Sequence, residues 1–180
     1  MKTYVAILRG INVSGQKLIK MAELKMMFES LNFGEVKTYI QSGNIAFMPK
    51  PGNDKDLQFQ IHEAILKTFH FDVPVIVLDE TETKDIQENN PFLTNRNEDE
   101  SKLHVTFLSE KPQSDLFEKL TETAQFLPDE WILAGRAIYI FCPEGYGKTK
   151  LNNNFFEKKL KVTATTRNWK TINELVAMVS

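Results

Sequence analysis

The chain has a single cysteine, Cys142, so no intrachain disulfide is possible and packing must hold the fold. It sits in the apolar run Ile138-Tyr139-Ile140-Phe141-Cys142, where a thiol behaves as a small hydrophobe. Long apolar runs are missing too. None approaches the roughly 20 residues of a membrane span, and the stretch at residues 4–8 stops at Arg9, too short for a signal-peptide core. The expected compartment is the cytoplasm, and no membrane partner is expected. Basic charge is not in excess: 22 Lys and Arg against 24 Asp and Glu give a net −2. A duplex-binding domain is usually basic, so nucleic acid is disfavoured as a partner. The three histidines, His62, His70 and His104, show no His-Glu-x-x-His spacing, and no metal site or cofactor is expected. Glu98-Asp99-Glu100 reads as a solvated run, and Ser14 and Ser42 have no evident base, so no catalytic residue can be named.

What is present is an ordinary globular composition, 42% hydrophobic and 26% charged, with 13 phenylalanines to build an aromatic core. The apolar residues recur in two periods. Residues 3–8 read as a strand, and Met21, Leu24, Phe28 and Leu31 as one face of a helix. Residues 35–41 and 44–48 read as a hairpin about Ser42-Gly43-Asn44. Leu57, Ile61, Ala64, Ile65 and Phe69 mark a second helix, and residues 73–78 a fourth strand. The order is βαββαβ, the ferredoxin-like unit.

After a polar stretch the order recurs. Residues 103–108 form a strand. Leu116, Phe117, Leu120 and Ala124 mark a helix. Residues 131–133 and 137–141 pair around Gly135-Arg136, Leu151, Phe155, Phe156 and Leu160 mark another helix, and 162–166 is a short strand. A last helix carries Ile172, Leu175, Val176 and Val179, entered by a Thr171–Glu174 capping box or by Asn168 as N-cap. The expected fold is α+β: two tandem ferredoxin-like halves with antiparallel sheets, at residues 1–79 and 101–180, the second with the C-terminal helix. Residues 80–100 form the expected linker, with a short helix stopped by Pro91.

Such a unit has sheet order 4-1-3-2, which sets loop positions. The loop at residues 9–15 falls beside the 41–44 turn, and residues 143–148 fall beside 166–169. The first pair offers Arg9, Asn12, Ser14, Lys17, Gln41, Ser42 and Asn44; free amides before a helix suit an anion. The plainer alternative is that Asn12 and Ser14 cap the helix and the turn only closes a hairpin. The second pair offers Lys148, Lys150, Arg167 and Asn168 around Gly145 and Gly147, which suits phosphate. There the plainer alternative is an exposed turn whose cations pair with Glu144 or Glu157.

Four segments carry a resemblance: Leu8-Arg9-Gly10-Ile11-Asn12-Val13, Tyr39-Ile40-Gln41-Ser42-Gly43-Asn44, Gly147-Lys148-Thr149-Lys150-Leu151 and Ala164-Thr165-Thr166-Arg167-Asn168-Trp169-Lys170-Thr171. Together, in this order, they resemble the domain of unknown function 1697 family of bacterial proteins over nearly the whole chain. The family pattern has Gly-Gly at Ser14-Gly15 and serine at Thr149, both mild departures. The resemblance implies a two-part α+β protein, usually cytoplasmic, and supplies no catalytic residue.

Sharper motifs fail on their spacing. Gly147-Lys148-Thr149 ends like a phosphate-binding P-loop, but Cys142 stands where the first glycine belongs. The stretch Gly43-Asn44-Ile45-Ala46-Phe47 is faintly like an RNA-recognition strand, but Ile45 replaces a stacking aromatic. The functional expectation is a protein binding a small anionic or nucleotide-like molecule through polar loops. The alternatives are a protein-interaction module whose loops only hold the fold, or single-stranded RNA binding.

Overall fold

Strands form where β-branched and aromatic residues cluster, and helices where the apolar spacing lengthens to three and four. The computed structural model describes residues 2–180. In chain order the elements are β1 (Tyr4–Leu8), α1 (Met21–Ser30), β2 (Phe33–Tyr39), β3 (Asn44–Pro49), α2 (Leu57–Phe69), β4 (Val75–Asp79), α3 (Glu80–Glu88) and α4 (Pro91–Thr94). There follow β5 (Leu103–Leu108), α5 (Ser114–Thr123), β6 (Glu130–Ala134), β7 (Ala137–Phe141), α6 (Asn153–Leu160), β8 (Ala164–Asn168) and the C-terminal α7 (Trp169–Val179). The fold is α+β with two four-stranded sheets, ordered β2-β3-β1-β4 and β6-β7-β5-β8, and every neighbouring pair is antiparallel.

By its internal contacts the chain divides into two units. One runs up to Asp85 and includes Glu174–Ser180; the other is Ile86–Asn173. In the first, one sheet face supplies Ala6, Leu8, Ile45, Phe47, Val75 and Val77, packed on Leu24, Phe28, Ile61 and Ile65 of α1 and α2. Phe47 meets Phe28 edge-on at 5.4 Å and lies 4.7 Å from Phe33, ring pairs that add to what their buried area contributes. In the second, Leu108, Ile138, Ile140 and Ala164 face Leu120, Phe156 and Leu160 of α5 and α6. The other face of that sheet is covered in part from α3 and α4: the Tyr139 hydroxyl donates to Ile86 O at 3.0 Å, and Phe92 lies 5.8 Å from Phe141.

Several boundaries move from their expected places. Pro91 does not stop a helix; it opens α4 at a position where no N–H is needed, behind Asn90, whose side chain accepts from Phe92 N–H at 3.0 Å. β4 begins at Val75 rather than Val73 because Pro74 has no N–H for the ladder. β8 begins two residues late. Lys161 closes α6 in a left-handed cap, and pairing with β5 starts only at Ala164 opposite Leu108.

Gly43 marks the tightest approach. Its φ is +79°, and an added Cβ would sit 2.7 Å from Leu8 Cβ and 2.8 Å from Ile11 Cδ1. Gly43→Ala therefore combines left-handed strain with overpacking, and should cost about 2–4 kcal/mol. A lowered urea midpoint for the first unit's transition checks this.

Candidate functional site

The end of β1 and the β2–β3 turn meet as expected. Leu8 N–H donates to Gly43 O, and the Asn12 amide donates to Gln41 O, both at 2.8 Å. Asn12 also brackets Ile19. Its Nδ2 donates to Ile19 O at 2.9 Å and its Oδ1 accepts from Ile19 N–H at 2.8 Å. Both amide hydrogens and the oxygen are thus used within the fold. Lys17 reaches the Asp72 carbonyl. Asn44, fully buried, donates to Tyr39 O at 3.1 Å and to Ser42 Oγ at 3.0 Å. The side chains of Ser14 and Gln41 are exposed, and Arg9 is half-buried. Neither Asn12 nor Ser14 caps α1, which starts behind Lys20 with no side-chain cap. Asn12 instead ties the two ends of the loop together.

Residues 166–169 are not a loop but the end of β8 and the start of α7; the ends of β7 and β8 still share one end of their sheet, since His104 lies opposite both Ile140 and Asn168. The side chains do not all converge. Lys148 and Lys150, both exposed, line a cavity of about 210 Å³ with Glu144, Asp129, Phe126 and Leu127. Lys150 Nζ stands 5.8 Å from the Phe126 ring centroid. Neither ammonium takes part in an ion pair among the described residues. Glu157 accepts from Ala164 N–H at 2.9 Å, and the start of α6 is taken by Asn152, which accepts from Phe155 N–H at 3.0 Å.

Arg167 lies elsewhere. It is in register with Val105, which faces Tyr139, and so is on the sheet face away from α6. It is 9% exposed, donates to Thr165 Oγ1 and Thr166 O at 2.9 Å, and burial pulls its guanidinium down to about 10. Asn168 accepts from Thr171 N–H at 2.9 Å and caps α7. Of the two caps left open by the sequence, this is the one formed.

Sequence reasoning missed what lies beside the lysine loop. A cavity of about 380 Å³ is lined by Ala124, Phe126, Leu127, Asp129, Trp131 and Ile132, among others. The signal in the sequence is the clustering of Phe126, Leu127 and Trp131 where α5 gives way to β6; Leu127 is 80% exposed. Phe47, by contrast, is fully buried and offers no base-stacking surface. Burial also pushes the Cys142 thiol up to about 11, which keeps it protonated and inert. Among the described residues no group of three or more His, Cys, Asp or Glu is placed to hold a metal ion, and no helix is long and apolar enough to cross a membrane.

These features define an α+β protein with one self-contained polar loop pair and one charged, cavity-lining loop. Residues 1–139 match the family described as "Protein of unknown function (DUF1697)", and the chain belongs to it. The lysine loop and the segment around Arg167 lie beyond the matched residues. The chain is also similar to a solved structure, a conserved bacterial protein from Streptococcus pneumoniae. The two are 25% identical, 99% of each chain is covered, and the TM-score is 0.78. No curated protein matches the chain.

Two outcomes follow from this geometry. Asn12→Ala removes three hydrogen bonds and should cost about 2–3 kcal/mol in urea unfolding. Asn12→Gly should cost less, because the φ of 55° strains alanine and not glycine. His104 stacks on Tyr146 of the lysine loop at 4.5 Å. Burial holds its imidazole below the usual value, and its Nδ1 has no hydrogen-bond partner among the described residues. The folded state therefore favours the neutral ring. The associated stability is complete above the unfolded value of about 6.5 and is lost as pH falls below it. Between pH 7 and about 5.5, His104→Phe should lose less melting temperature than the unaltered protein.

Proposed function

We propose that this is a binding protein for a small molecule carrying an anionic group, and that the ligand is held by the lysine loop rather than by the loops around Asn12. The observation that carries the reading is the cavity lined by Lys148 and Lys150, whose ammonium groups have no ion-pair partner among the described residues. Exposed, uncommitted cations beside a concavity are free to bind; cations and amides already hydrogen-bonded are not. The Asn12, Lys17 and Asn44 contacts support a structural role for the first loop pair, which is the part of the interaction-module alternative kept here.

The setting proposed is two tandem ferredoxin-like halves in the cytoplasm. The strand order and antiparallel pairing of each sheet support the first point. Single-stranded RNA is disfavoured by the burial of Phe47 and the net charge of −2.

Thermal-shift titration with small carboxylates, nucleotides and phosphorylated metabolites tests the reading. At least one should raise the melting temperature saturably, because binding to the folded state stabilises it. The rise should vanish in Lys148→Ala/Lys150→Ala, whose own melting temperature should barely change since both side chains are exposed. No stabilisation by any compound at millimolar concentration would overturn it.

A further inference from the structure

The polar cavity at the lysine loop does not stand alone. It shares Phe126, Leu127 and Asp129 with the apolar cavity of about 380 Å³. That larger cavity is in the range of small-molecule sites, about 300–1,000 Å³. Its wall is aromatic and fixed. Trp131 Nε1 donates to Ala124 O at 2.9 Å, and its ring meets Phe156 at 6.0 Å and Phe117 at 6.2 Å, both edge-on. Phe126 is held edge-on against Phe155 at 5.4 Å. An indole locked by its own hydrogen bond and two ring contacts is a preformed surface for a flat apolar group.

The charges of the smaller cavity are balanced. Lys148 and Lys150 stand with Glu144 and Asp129, and none of the four takes part in an ion pair among the described residues. A simple anion would satisfy the lysines and leave two carboxylates facing it. A head group with both signs leaves neither set opposed.

We propose that the two cavities sharing the 126–129 turn form one site for a small zwitterion with a flat apolar body, of the class of a free aromatic amino acid. The ring lies against Trp131 and Phe126, the carboxylate meets the lysines, and the ammonium meets Glu144 and Asp129. This rests on the anion-binding reading above and narrows it.

The test is a titration of the intact protein with L-phenylalanine, 3-phenylpropanoate and phenethylamine. It is followed by Trp131 fluorescence excited where these ligands do not absorb, and by melting temperature. Trp169 is 3% exposed and supplies a constant background. Phenylalanine should give a saturable change in both. Each analogue lacks one charged contact, and should bind about tenfold or more weakly. Lys148→Ala should erase phenylalanine's advantage over phenethylamine, and Glu144→Gln its advantage over phenylpropanoate; both side chains are exposed, so the fold is kept. Equal binding of phenylpropanoate and phenylalanine would overturn the zwitterion and leave the anion reading standing. Equal binding of phenethylamine, or no response to any of the three compounds, would overturn the aromatic zwitterion; the anion reading stands or falls separately, on the carboxylates, nucleotides and phosphorylated metabolites above.

Discussion

Each sheet is governed by one constraint: its central strand is hydrogen-bonded on both sides to antiparallel neighbours. β1 pairs with β3 and β4, and β5 with β7 and β8. The two outer partners must then run parallel to one another, so their ends fall at the same edge. His104, facing Ile140 on one side and Asn168 on the other, is this constraint at one residue. The chain therefore leaves β7 and β8 at the same end of the sheet, and β3, paired antiparallel with both β1 and β2, sets the ends of those two strands together in the same way, which is why Leu8 reaches Gly43. Neither needs a loop-specific attraction.

The order of elements was legible in the sequence because it depends on periodicity, which survives an error of one or two residues. The face on which a side chain lies does not survive such an error. In a strand the faces alternate at every residue, so a claim that two side chains converge needs the register as well as the strand. Arg167 shows the difference. With the last strand read as residues 162–166, it falls in the loop beyond and reads as a cation beside the lysines. With β8 at Ala164–Asn168 it lies inside the ladder, opposite Val105 and on the face away from α6. The edges were placed correctly; the parity was not available.

Asn12 shows a second limit. A polar residue in a glycine-bearing loop before a helix looks the same in sequence whether it awaits a ligand or closes the loop. Here the loop runs far enough past Asn12 that Ile19 returns to it, and one amide side chain satisfies both backbone groups of that residue. A buried amide group without such a partner costs more than the hydrogen bond itself contributes, so a long irregular loop on a rigid sheet tends to use its own polar residues. The 126–132 segment was illegible for the opposite reason. Trp131 packs against Phe117 of α5 and Phe156 of α6 while Leu127 and Ile132 stay exposed, and composition does not distinguish the two outcomes.

The contrast between the cations separates those the fold uses from those it does not. A guanidinium as buried as that of Arg167 has lost most of its hydration, and only fixed hydrogen bonds such as those to Thr165 and Thr166 make its position tolerable. Such a group is committed to the fold. Lys148 and Lys150 are exposed, make no ion pair among the described residues and lie outside the strands, so the fold gains little from them. A ligand that meets those two ammonium groups at the surface leaves them partly hydrated and breaks no contact of the fold, whereas one that competed for Arg167 would have to break its hydrogen bonds to Thr165 and Thr166. The exposed lysines beside the Trp131 and Phe126 rings are therefore the cations on which the fold itself depends least.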